Sequence, residues 1–121
     1  HYHFDWNVIA DQGPRFENVI AAQLLKWVHF QIDTTGHDME LRYFRDTDGR
    51  EVDFVVLRSR RPLLLVEARW SDSDVAPGLR YLKERFPEAE AWQISATGRK
   101  DYVSREGIRV APALELLSAL V

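Results

Sequence analysis

The chain contains no cysteine, which excludes a disulfide framework and any thiolate metal site and leaves carboxylates and histidines as the available ligands. A cytoplasmic setting is the expectation on that ground. No apolar run approaches the roughly 20 residues needed to cross a bilayer. The N-terminus also lacks a signal-peptide pattern, so a soluble domain with no membrane contact is expected. Positive charge is not in excess either: a formal net charge of −3 gives no global pull toward nucleic acid. Any phosphate contact must then come from local clusters. The phosphate-loop pattern G-x-x-x-x-G-K-[ST] is missing, and "TGRK" at 97–100 is no substitute for it. Internal repeats, low-complexity tracts and linkers are absent too, as expected for one domain over residues 1–121. The opening "HYHFDW" has no initiator methionine, which predicts a piece of something longer.

What is present reads as an alternation of helix and strand. Residues 2–6 alternate like a short strand, "DQGP" breaks the chain, and Pro14 suits a first helical position, so a helix is expected from about 14 to 31. At about 100° per residue, Phe16, Ile20, Leu24, Trp27 and Val28 fall in one stripe, with Glu17 inside it. "ELRYFR", the turn "DTDG" and "EVDFVVL" form a hairpin, "RSRRP" turns again, and "LLLVEARW" is a third antiparallel strand. Pro77 opens a helix to Phe86, "EAWQIS" is a buried strand, and Tyr102–Val103 and Ile108–Val110 are short extended pieces. A last helix starts at Pro112. The expected core order is α-β-β-β-α-β.

Three acids stand out because they interrupt runs of Val, Phe and Leu, where an unpaired carboxylate is costly to bury. They are Glu51, Asp53 and Glu67. By strand alternation Glu67 and Arg69 share a face with Leu63 and Leu65, and Asp53 shares one with Glu51, Val55 and Leu57. An odd loop is needed to set position 53 opposite 67. A loop of Ser59, Arg60 and Arg61 would do so, with Cβ atoms roughly 5 Å apart. Like charges so placed repel unless one is protonated or a cation lies between them, and a hard ion such as Mg²⁺ takes oxygen ligands of this kind. Exposure at a sheet edge, or an ion pair with Arg69, is the plainer account. Glu17 could add a third carboxylate, or could be an acid favoured by the dipole in a helix's first turn.

The order α-β-β-β-α-β with Glu17, Asp53 and "VEAR" at 66–69 resembles the PD-(D/E)XK, restriction-endonuclease-like nuclease fold: a mixed α/β sheet flanked by helices. More narrowly, "RFENVIAAQLLKW", "ELRYFRDTDGREVDFVV", "PLLLVEARWS" and "GLRYLKERFPEAEAWQIS" resemble the C-terminal domain of unknown function of prokaryotic AAA-type ATPases, over residues 2–121. This resemblance implies Glu17, Asp53, Glu67 and Arg69 as the catalytic set, with Mg²⁺ or Mn²⁺ held by Asp53 and Glu67 and Glu17 completing the carboxylate metal set. It also implies an N-terminal ATPase domain as partner. Arg69 stands where the nuclease pattern has a lysine, and an arginine stays protonated and cannot accept a proton.

Arg58, Arg60 and Arg61 are the densest basic cluster and the expected nucleic-acid contact. His1 and His3 belong to a terminus, and His29 and His37 have no partner at ligand spacing. Trp27, Trp70 and Trp92 are expected in core or half-buried packing. Two functions of different class follow: a metal-dependent nuclease-type domain, or a non-catalytic module that binds nucleic acid or protein and regulates an attached ATPase. Self-association is the third.

Overall fold

Helix α1 (Gln12–Thr35) buries Ile20, Leu24 and Val28, with Phe16 and Trp27 packed beside them, as the stripe requires. It runs past residue 31. The Thr34 and Thr35 hydroxyls donate to the carbonyls of Phe30 and Gln31, and Gly36 at φ +72° closes the end with its N–H on Ile32. The computed structural model describes residues 12–120, so the strand expected at 2–6, His1 and His3 lie outside the described residues. Among the described residues, no helix is long and apolar enough to cross a membrane.

The remaining elements are β1 (Met39–Arg45), β2 (Glu51–Arg58), β3 (Arg61–Arg69), α2 (Pro77–Arg85), β4 (Glu90–Ser95), β5 (Tyr102–Val103), β6 (Ile108–Pro112) and α3 (Ala113–Ala119). One mixed sheet has the order β1-β2-β3-β4-β6-β5, with β3, β4 and β6 mutually parallel. The α/β order expected from the sequence is therefore the observed one. One apolar layer joins α1 and α3 to Phe54, Val56, Val66 and Ile94. The other joins α2 to Val52, Val55, Leu65 and Ile108. Burying each such side chain contributes about 1.5–3 kcal/mol. Helix α2 comes close to β2 because residue 78 is glycine: a Cβ there would lie 2.8 Å from the Glu51 nitrogen.

Two irregularities in β2 and its partner decide where the acids go. The β2–β3 turn is not the expected three-residue loop, because Arg58 pairs with Arg61 and only Ser59 and Arg60 lie between. Both have positive φ, 51° and 67°, the left-handed pair that matches the twist of a tight hairpin. The odd residue comes from a β-bulge instead. Leu57 pairs with Pro62 but Val56 with Leu64, which leaves Leu63 extra. The ladder continues to Phe54 with Val66, and one further step sets Asp53 across from Glu67.

On the other side of β2, Arg42 pairs with Val55 and Phe44 with Val52, so Tyr43 faces both Asp53 and Phe54. Alternation breaks there. Val52 and Val55 share the α2 layer while Phe54 and Val56 share the α1 layer, so the simple placement of Asp53 on one face with Val55 and Leu57 does not hold.

Candidate functional site

Asp53 and Glu67 meet where β2 and β3 stop exchanging backbone bonds and side chains take over. The Asp53 N–H donates to Glu67 Oε1 at 3.1 Å, and the Ala68 N–H donates to Asp53 Oδ2 at 2.9 Å. Each acid thus caps an amide of the opposite strand. Glu67 is buried and Asp53 half-buried. Arg69 Nη1 pairs with Glu67 Oε2 along the same strand, while its side chain stays partly exposed. The plain ion-pair account is therefore true of Glu67. It does not separate the two acids, which remain adjacent.

Electrostatics follow from that burial. Loss of water, then the neighbouring Asp53 charge, pushes the Glu67 carboxyl up to about 7, against the pull of Arg69. Asp53 is also raised, chiefly by burial, with the Ala68 N–H and Arg69 opposing. Glu17 reaches it as well: its side chain hydrogen-bonds Asp53 from α1. Two carboxyls share such a bond only while one carries a proton. Glu17 is not first-turn chemistry, because α1 begins at Gln12 and its first turn holds no acid. Sequence spacing alone left that point open.

Asp53, Glu67, Arg69 and Glu17 are thus brought together. Among the described residues, however, no group of three or more His, Asp or Glu is arranged to hold a metal ion, so a three-carboxylate cage is not assembled. The donor set of Asp53 and Glu67 still has the chemistry of a hard-cation site: carboxylate oxygens, each with a second lone pair beyond its amide contact. The arginine cluster is elsewhere. Arg58 is five residues beyond Asp53 and Arg61 six before Glu67, so the hairpin tip lies roughly 17–20 Å from the acids at about 3.3 Å per residue. Arg61 there pairs with exposed Glu88 at 3.2 Å. An apolar cavity of about 400 Å³ beside Phe44, Val55 and Tyr81 has neither Asp53 nor Glu67 in its wall.

Sequence reasoning missed Gln93. It sits beside Glu67 in the parallel ladder and is buried. Its Oε1 accepts the Ala76 N–H at 2.8 Å, and its Nε2 donates to the carbonyls of Asp74 at 2.9 Å and Ser73 at 3.2 Å. One amide therefore ties the β3–α2 loop to β4 beside Glu67. A lone amide inside the apolar run "EAWQIS" was the available signal.

A mixed sheet with helices on both faces makes this an α/β protein, with its buried acid Glu67 at the carboxyl end of a central strand. Residues 12–116 match the domain of unknown function DUF4143, and the chain belongs to that family. Among curated proteins, it is similar to a "Probable terpene synthase 8" of Ricinus communis, 24% identical over 112 residues. That match covers 84% of this chain and 20% of the relative, so the chain spans a fifth of that protein's length. No solved structure matches the chain significantly.

Proposed function

We propose that this chain is a nuclease-type domain of the restriction-endonuclease-like class, cleaving phosphodiesters at the Asp53–Glu67 pair, and that it forms the C-terminal part of an AAA-type ATPase-like protein. The observation that carries the reading is the direct apposition of a buried and a half-buried acid across β2 and β3. Evolution of a stable core has no use for such a pair, because each ionised member raises the cost of the other. A Mg²⁺ or Mn²⁺ ion held by Asp53 and Glu67 would polarise the scissile phosphate and acidify a nearby water. Asp53 and Glu67 hold position through the Ala68 and Asp53 amides, so little reorganisation is needed. Arg69, paired with Glu67 and partly exposed, would neutralise a phosphate oxygen rather than take a proton.

The test is nicking of plasmid and single-stranded DNA, and of RNA, with Mg²⁺ or Mn²⁺. Cleavage lost in Asp53→Ala and raised in Arg69→Lys is the expected outcome. No cleavage at saturating protein with any divalent ion sinks the reading.

A second reading is favoured by one observation, the ion pair that Arg69 makes with Glu67. A built-in cation on one of the two acids weakens the site for a dissolved one. On that reading the domain is a non-catalytic module that binds nucleic acid or protein and sets the turnover of the attached ATPase. It predicts changed ATP hydrolysis when the domain is removed from the longer protein. Unchanged turnover with and without it would rule this out.

A further inference from the structure

The loops after β3 and β4 leave the sheet at the same end as the acids and are tied into one surface. The Ala96 N–H donates to the Arg69 carbonyl at 3.0 Å. Thr97 donates to the Trp70 carbonyl twice, from its N–H at 2.9 Å and its hydroxyl at 2.7 Å. Asp72 then accepts the N–H of Arg99 at 3.1 Å and of Lys100 at 3.3 Å. Gly98 lies against the Asp72 carboxylate and the buried Ser95 hydroxyl, with no room for a Cβ. The backbone of "TGRK" is therefore held in place, and its two cationic side chains are what it presents.

Those side chains are exposed, and among the described residues neither has a carboxylate partner. By contrast, Arg80 is matched by Glu106, and Arg109 by Asp101 and Glu115. Trp70, next to Arg69, is 42% exposed, and its ring is braced at 80° by Phe16 at 6.4 Å. An exposed indole whose residue is tied through its carbonyl to Thr97, on the loop that carries two unmatched cations, has the composition of a single-strand grip, where bases stack on rings and phosphates meet Arg and Lys.

We propose that Trp70, Arg99 and Lys100 form a binding surface for single-stranded nucleic acid that delivers the strand to the acid pair, an inference that rests on the phosphodiester reading above. The hairpin-tip arginines expected from the sequence are at the other end of β2 and β3, roughly 17–20 Å from the acids and farther from Trp70, by about 3.3 Å per residue. A single strand is specified because a base must leave its stack to lie on Trp70, which a duplex does not permit.

Binding of a labelled oligothymidylate to the 121-residue chain is measured by fluorescence anisotropy in EDTA, so that no cleavage intervenes. Arg99→Ala/Lys100→Ala should weaken binding about tenfold or more and reduce the slope of log K against log salt by about 1.4, as two single-strand phosphate contacts require. Trp70→Leu should weaken it roughly tenfold. Arg105→Ala, one exposed charge in the turn before β6, should have little effect. No binding by the unmodified chain, equal affinity for a duplex, or loss on Arg58→Ala/Arg60→Ala with none on the loop variant would each overturn the proposal. Strand binding of the expected pattern without cleavage in any metal would sink the nuclease reading and leave this surface standing, so the two fail separately.

Discussion

The two ends of the sheet carry similar residues and do different things with them. At one end the β2–β3 hairpin closes in two residues, and Arg58 and Arg60 stand in water beside an exposed Arg61–Glu88 pair. At the other, the same two strands bring a half-buried acid, Asp53, against a buried one, Glu67. The loops after β3 and β4 leave the sheet at that end and are held by Gln93 and Asp72. The difference is topological. Parallel strands β3, β4 and β6 send all their carboxyl ends the same way, so connections crowd there and can exclude water from a charge. A tight hairpin has nothing beyond its own turn to do that. A cluster of arginines thus says less about a site than the end of the sheet on which it falls.

The sharpest way to break this contrast is to titrate stability. Glu67 binds its proton more tightly folded than unfolded, because its carboxyl is raised from 4.5 to about 7. Between those values the native state holds more protons, so stability is present at low pH and is lost as pH rises from about 4.5 to about 7. At about 1.4 kcal/mol per unit, the loss is of the order of 3 kcal/mol. Asp53, also raised, acts in the same sense. Urea midpoints at pH 5 and 7.5 measure it, and Glu67→Gln should flatten the profile. A profile as steep in the variant would show that the buried acid is not the cause.

A smaller effect is expected in the loop. Gly98→Ala forces a methyl against Ser95 and Asp72 and should cost about 1–2 kcal/mol, with loss of the salt-dependent strand binding. Unchanged thermal unfolding and unchanged binding would mean that the loop is not braced as described. The least effect belongs to the hairpin tip. Arg60 holds φ +67° without being glycine, so Arg60→Gly should stabilise by up to about 1 kcal/mol and leave strand binding alone. If it weakened binding instead, the two ends would not be as distinct as their geometry makes them.

Much of the fold could be read from residue order. The apolar stripe of α1, the turn "DTDG", the prolines at the starts of α2 and α3 and the run "EAWQIS" each specify an element through local chemistry, and the elements appear where they are expected. The juxtaposition of Asp53 with Glu67 was also anticipated, though by the wrong device. The sequence suggested an odd loop at Ser59, Arg60 and Arg61, whereas a two-residue turn and a bulge at Leu63 reach the same register. Bulges leave little trace in a pattern of alternating residues, since Leu63 is as apolar as its neighbours.

The sequence by itself determined which stretches become helix or strand and that three acids would interrupt apolar strands, because periodicity and turn chemistry act over a few neighbouring residues. Only the tertiary structure decided that Glu17 reaches Asp53, that Arg69 spends its charge on Glu67, and that Gln93 and Asp72 tie loops across the acid end. Those contacts join residues far apart in the chain, Arg99 lying 27 positions after Asp72. Strand order and register set them, and no local pattern encodes either.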